Sequence, residues 1–279
     1  MSSPHDVNEK MAKTNLDTHK LKPGDDHYKA YVGPPDQYDF MGATQFRLLS
    51  TLGLRSNHRL LDVGCGSLRA GRLILNYLDK NNYFGIEPNR WLIEEAIRNV
   101  IGDDVVKIKK PNFDHNDQFN TDVFSKKFDF IVAQSIFSHS SSDIIINALN
   151  NFKHSLKDSG IIVATFVEGL TNYNGEGWVY PGCVSYRRSK IIDFAKKADL
   201  LILKLPWYHP RQTWYIMAKN KNRLPNKKMM RHLSGAVLFE NDFMESWKTI
   251  YKYKSLVRLI QNTVRQTIFK PIRNVFHKT

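Results

Sequence analysis

Only two cysteines, Cys65 and Cys183, occur among the 279 residues. They are too few for a disulfide framework and do not form a metal-ligand spacing. This usage points to the reducing cytoplasm. No stretch reaches the roughly 18 apolar residues of a membrane span. The polar Met1–Lys20 segment has no apolar core of the kind a secretory signal carries. Acids are absent from Ser246 to His277, while bases are plentiful there. What remains is an ordinary globular balance, 42% hydrophobic and 24% charged. The length fits one large domain with an appendage.

The charge of +14 is unevenly placed. From Lys219 to Thr279 there are 14 Lys or Arg against three acids, Glu240, Asp242 and Glu245, a net of +11. Residues 1–218 carry only +3. A body-wide nucleic-acid surface does not fit this pattern; a basic tail meeting an anionic partner does.

The arm, residues 1–39, begins polar and is expected to be partly disordered. Its later part holds Tyr31 and Tyr38, followed by Phe40. Apolar spacing predicts a helix from Phe40 to Leu54, ended near Gly53. Strands and helices then alternate. Strands are predicted at Arg59–Val63, Tyr83–Glu87, Val105–Lys109, Phe128–Gln134, Gly160–Val167, Leu200–Leu205 and Thr213–Lys219. Helices are predicted at Leu68–Leu78, Trp91–Val100, Asp143–Leu156 and Ser189–Ala198. Such alternation implies a mostly parallel sheet covered on both faces. The short Pro206–Gln212 link leaves no room for a crossover helix, so the seventh strand returns antiparallel.

Two signals sit where open α/β sheets bind ligands, at the carboxyl ends of strands. Leu61-Asp62-Val63-Gly64-Cys65-Gly66 leaves the first strand, and glycines there let backbone approach a ligand. Glu87 ends the second, 23 residues after Gly64, where a carboxylate can accept from ribose hydroxyls. A dinucleotide dehydrogenase wants a third glycine where Arg69 stands. Asp62 would repel a pyrophosphate but suits a cation.

LLDVGCGSLRAG, FGIEP, FDFIVAQSIFSH and SGIIVAT resemble, in order and spacing, the strand motifs of the class I S-adenosylmethionine-dependent methyltransferases. The resemblance spans roughly residues 40–219 and implies a Rossmann-like, doubly wound seven-stranded sheet. It implies S-adenosyl-L-methionine as cofactor. Asp62, Gly64, Cys65 and Gly66 would hold its methionine end and Glu87 its ribose. Phe113 and Asp114, in the polar loop after the third predicted strand, would meet the adenine. Gln134 and Ser135, after the fourth, would line the reaction centre. Arg69 either contacts the cofactor carboxylate or faces solvent.

An oxygen or amine acceptor must lose a proton, and a base beside it helps. Candidates are His139, Glu168, Tyr180 and His209, of which His139 is chosen over its alternative as a helix-entry residue. His209, beside Pro210, reads more as a turn residue. No metal-ligand cluster is expected. The segment Gly169–Arg188, with Tyr173, Trp178, Tyr180 and Tyr186, suits a sugar or polyol and reads as an acceptor-side lid. Tyr31, Tyr38 and Phe40 either cover the cofactor or pack the arm on the body.

The expected organisation is therefore an arm (1–39), a methyltransferase domain (40–219) and a basic helical extension (220–279). Residues 220–245 read as a linker. Ser246–His277 have the spacing of an amphipathic helix suited to an anionic membrane surface or a protein partner. The function expected is O-methylation of a glycan, a lipid-linked sugar or a small metabolite, in the cytoplasm or on the inner membrane face. The alternatives are N- or O-methylation of a small natural product or an RNA, and a non-catalytic scaffold of the same fold.

Overall fold

A computed structural model describes residues 20–235 and 259–260. Its strands are β1 (Leu60–Val63), β2 (Tyr83–Ile86), β3 (Asn112–Asp114), β4 (Phe128–Ala133), β5 (Leu156–Phe166), β6 (Leu201–Lys204) and β7 (Thr213–Ala218). Its helices are α1 (Tyr28–Tyr31), α2 (Tyr38–Thr51), α3 (Gly71–Tyr77), α4 (Arg90–Ala96), α5 (Asp103–Lys109), α6 (Ser142–Ser155), α7 (Arg188–Lys197) and α8 (Lys227–Gly235).

The strands form one sheet in the order β3–β2–β1–β4–β5–β7–β6. The first five are parallel, and β7 slots between β5 and β6, antiparallel to both. This is the Rossmann-like methyltransferase sheet expected. Side chains alternate across it. Leu61, Val63, Phe128 and Ile131 face one side, packed with Ile145, Leu149 and Phe152 of α6 and Phe194 of α7. Leu60, Phe130, Val132 and Trp214 face the other, packed with Leu48 and Leu49 of α2 and Ile74 and Leu75 of α3. Phe152 is fully buried, and its replacement by Ala would cost about 3–5 kcal/mol.

Two expectations need correction. The run Val105–Lys109, read as a strand, lies in α5. Gly102 (φ +85) caps it, Asp103 and Asp104 occupy its first turn, and Lys107 and Lys109 its last, so both ends suit the helix dipole. No residue of α5 is buried, so the β-branched pair has no sheet face to fill. The third strand is instead Asn112–Asp114, inside the stretch read as a loop. Second, the stretch after residue 219 is not all linker. Asn226 Oδ1 accepts from Met229 N at 2.9 Å, and α8 buries Leu233 with Met229 and Met230 packed on the core. The arm from Lys20 onward is docked: Gly24 N donates to Ala30 O at 2.9 Å, and Ala30 and Tyr38 are buried.

Among the described residues no helix is long and apolar enough to cross a membrane. Apart from Leu259 and Ile260, the amphipathic stretch Ser246–His277 lies outside the described residues, as do residues 1–19 of the arm.

Candidate active site

Because β6 runs parallel to β1, its turn into β7 opens at the same edge as the carboxyl ends of β1, β2 and β4. These ends surround a cavity of about 450 Å³, in the size range of small-molecule sites. Asp62, Gly64, Cys65, Gly66, Glu87, Gln134, Ser135 and His139 all line it.

The β1 turn is left-handed at Gly64 (φ +64) and Gly66 (φ +54). A β-carbon on Gly64 would stand 2.0 Å from Ile136 Cδ1, and one on Gly66 2.6 Å from Val32 Cγ1. Gly64 N and Cys65 N both donate to Ile86 O, at 2.8 and 3.1 Å, which ties this turn to β2. Glu87 is fixed from both sides. Its Oε2 accepts from Gly66 N at 3.0 Å, and its Oε1 accepts from Asn89 N and Nδ2 at 2.9 Å. Asp62 is buried and accepts from Tyr83 OH at 2.8 Å. Burial pushes its carboxyl up to about 6, although the Tyr83 bond pulls the other way. Cys65 is a buried thiol raised by burial, with Sγ where a Gly85 side chain would stand, so it is a packing residue and not a nucleophile.

Ser135 follows β4 with φ +62, and its N donates to Thr165 Oγ1 at 2.7 Å. Its Oγ accepts from Gln212 Nε2 at 3.0 Å. Gln134 is buried beside His209. His209 Nδ1 accepts from Arg211 N and Gln212 N at 3.1 and 2.9 Å, so a single ring proton sits on Nε2, 3.5 Å from the Gln134 amide nitrogen. As placed, Gln134 Oε1 has no partner among the described residues. Turning the amide over would satisfy the oxygen and leave the NH2 instead. Either way one polar end of a buried amide is left for a ligand.

His139 Nδ1 lies 2.6 Å from Gly182 O. A carbonyl only accepts, so the proton sits on Nδ1 and Nε2 of the neutral ring is the acceptor. Burial lowers the His139 pKa, partly offset by the Gly182 bond. The ring packs on Trp178 and Tyr180, with centroids 5.5 and 5.1 Å away. The segment carrying them is pinned alongside: Val179 N donates to His139 O at 2.8 Å and Val184 N to Ser138 O at 2.7 Å.

Other candidates lie elsewhere. Phe113 packs against Tyr83 and beneath Gly85, and Asp114 Oδ1 accepts from Asn116 N at 2.9 Å. Neither lines the cavity: Phe113, mid-strand beside Gly85, packs on the core, and Asp114 closes a turn at the end of β3. The wall beside Glu87 is made instead by Asn89, Leu92 and Tyr31. Glu168 is held by Lys204 Nζ at 2.8 Å and by Tyr215 OH, away from the cavity. Tyr186 OH donates to Ser140 O, and Tyr38 OH to Ser67 O, so both are structural. Phe40 packs on Tyr208. Tyr180 OH donates to Tyr31 O, so it is a tie and not a base. Unanticipated wall residues are Val32, Gly33, Pro34, Gln45, Arg211 and Gln212. Among the described residues no three His, Cys, Asp or Glu side chains gather as a metal site.

Residues 61–162 match the family model described as a methyltransferase domain. No curated protein matches. Among solved structures, the chain is similar to a S-adenosylmethionine-dependent methyltransferase from Clostridium acetobutylicum ATCC 824 at 15% identity, covering 76% of this chain and 98% of that one, with TM-score 0.50. It is similar to magnesium protoporphyrin IX methyltransferase from Synechocystis PCC 6803 with bound SAH at 12% identity, covering 78% and 100%, with TM-score 0.51. The mitomycin 7-O-methyltransferase MmcR matches at 13% identity, covering 68% and 56%, with TM-score 0.51. At such identities the structures establish a shared fold. Sheet order, turn and acidic strand end together define a class I methyltransferase architecture. The domain match covers residues 61–162, which hold the turn after β1, Glu87 and β4.

The residues at this edge fit S-adenosylmethionine, the cofactor that the resemblance implies. A buried carboxyl with a raised pKa, Asp62, suits a cationic partner. Glu87 is a fixed acceptor suited to ribose hydroxyls, and the Gln134 amide has an end to give.

Proposed function

We propose that the enzyme O-methylates a saccharide, a lipid-linked sugar or a related small metabolite, with His139 as general base. The observation that carries this reading is the pairing of His139 with Trp178 at the cavity wall. Trp178 is 49% exposed. An indole face open to solvent beside an acceptor nitrogen suits the C–H face of a sugar ring, and Gln134, Ser135 and Gln212 supply polar partners for its hydroxyls.

When bound, S-adenosylmethionine supplies a methyl group made electrophilic by its sulfonium. The remaining work falls to the chain. The cavity walls hold an acceptor hydroxyl in line with the donor, which removes most of the entropic barrier. His139 Nε2 takes the hydroxyl proton as the new C–O bond forms, and Gly182 O steadies the resulting imidazolium through Nδ1–H. A base so placed contributes roughly 10²–10⁴-fold.

The test is mass spectrometry of saccharide and metabolite pools incubated with protein and methyl-labelled S-adenosylmethionine. Label on a sugar oxygen supports the reading. Label confined to nitrogen or to RNA overturns it.

A further inference from the structure

Gln45 reaches the cavity from α2 and is only 4% exposed. Its side-chain amide forms no hydrogen bond among the described residues. The helix that carries it is held at three points. Tyr38 OH donates to Ser67 O at 2.7 Å, and Trp207 Nε1 donates to Thr44 Oγ1 at 3.1 Å. A β-carbon on Gly42 would stand 2.3 Å from Arg69 O, so α2 lies backbone to backbone against the turn after β1. Gln45 is thus a rigidly carried amide with a donor end and an acceptor end to offer.

Buried polar groups nearly always have a partner. Where the fold supplies none, an apolar side chain of the same shape is neutral or stabilising in that place. The Gln45 amide therefore does nothing for the fold, and what it serves is a molecule in the cavity. Gln134, 7% exposed, is a second buried amide on the wall. The proton on His209 Nε2 faces it, because His209 Nδ1 already accepts from Arg211 N and Gln212 N. A donor in that place pairs with Gln134 Oε1, which leaves the NH2 for the ligand.

The ionic parts of a methyl donor call for ionic partners, and Asp62, Glu87 and Arg69 line the same cavity. A neutral amide suits a neutral group. The NH2 of Gln134 also needs a lone pair, which an ammonium lacks. We propose that Gln45 and Gln134 are specificity residues for the methyl acceptor and bind an uncharged oxygen function of it, a hydroxyl or a carbonyl. This rests on the methyl transfer proposed above and narrows its acceptor to molecules that carry further uncharged oxygens besides the one methylated.

The test uses the full chain with Gln45→Met, which keeps the unbranched shape and removes the amide. Denaturant unfolding, calorimetry with S-adenosylhomocysteine, and label transfer from methyl-labelled S-adenosylmethionine to serial dilutions of the saccharide and metabolite pools are measured together. The unfolding midpoint should hold or rise, and S-adenosylhomocysteine affinity should stay within about twofold. Transfer at high dilution should fall roughly tenfold or more and recover in the undiluted pool. Gln134→Glu still accepts from His209 but turns an oxygen to the ligand, and its transfer should fall in the same way. A lowered midpoint for Gln45→Met marks a structural amide and overturns the proposal. So does wild-type transfer in either variant at every dilution, or a loss of S-adenosylhomocysteine affinity as large as the loss of transfer. Should Gln45→Met fail to fold, Gln45→Leu takes its place, and failure of both overturns the proposal. If wild type itself labels no pool, the methyl-transfer reading has failed; if wild type labels a pool and the variants match it, only the amide subsite has.

Discussion

The backbone N–H of Gly66 donates to Oε2 of Glu87 at 3.0 Å, joining the turn after β1 to the residue that ends β2. The acid expected to grip the ribose is thus also a brace for the turn expected to hold the methionine end. Both Glu87 oxygens already accept from N–H donors. Glu87→Gln therefore turns an NH2 against a donor whichever way the amide sits. Affinity for S-adenosylhomocysteine should fall by about 1–3 kcal/mol, and stability by a similar amount. Calorimetry and denaturant unfolding read the two losses. Wild-type affinity in the variant would remove Glu87 from the binding site.

Asp62 should make cofactor-free stability depend on pH. Its folded pKa of about 6 stands above the ordinary carboxyl value of 3.8, so the folded state binds the proton more readily. Its contribution is most favourable below about pH 4, falls as pH rises to about 6, and then stays at its lower level, a change of order 3 kcal/mol. Asp62→Asn can still accept from Tyr83 OH but does not titrate. The difference in unfolding free energy between wild type and Asp62→Asn should therefore shift between pH 4 and 8, with the variant gaining at the alkaline end. The same variant should lose cofactor affinity, because a neutral amide no longer meets a cation. A flat difference across that range would refute the burial argument.

The arm is fastened over the cavity by Tyr180 OH, which donates to Tyr31 O, and by Arg69 Nη1, which donates to Val32 O. Tyr180→Phe removes one tie and keeps the ring packed on Tyr31 and His139. One such bond contributes about 0.5–1.5 kcal/mol. Release of S-adenosylhomocysteine in stopped flow should quicken by roughly 2- to 12-fold. An unchanged release rate would mean that the arm does not gate the site.

What the sequence disclosed was local. Asp62, Gly64, Gly66 and Glu87 lie within one strand–turn–helix–strand unit, so their spacing alone put them at one edge. The strand misread at Val105–Lys109 shows the limit: Val-Val-Lys-Ile-Lys satisfies a strand pattern, and only the caps at Gly102 and Lys110 and the lack of a buried face make it a helix. The residues missed are long-range. Arg211 and Gln212 reach the cavity because β7 inserts between β5 and β6, which brings the β6–β7 turn to the active edge. Val32 and Gly33 reach it because Tyr180, 149 residues after Tyr31, holds the arm there. The resemblance put Phe113 and Asp114 at the adenine; in the fold Phe113 lies mid-β3 with its ring on Tyr83, and Asp114 closes the turn that follows.

Burial shifts both His139 and Asp62, and their effects must be read in different constants. Burial lowers His139 below the ordinary 6.5, so Nε2 is free to take a proton over most of the physiological range. As pH falls through that lowered value the imidazole gains a proton and loses its role. The maximal rate at saturating cofactor should therefore drop on the acid side, with its limb below pH 6.5. Asp62 acts instead on cofactor affinity, which saturation hides. His139→Ala should lower kcat roughly 10²–10⁴-fold and flatten the acid limb, with S-adenosylhomocysteine affinity unchanged. His139→Gln separates chemistry from packing: it keeps a hydrogen-bond donor for Gly182 O but cannot accept a proton at neutral pH. If His139→Gln turned over at the wild-type rate with the same pH profile, the base would have to be sought elsewhere on the cavity wall.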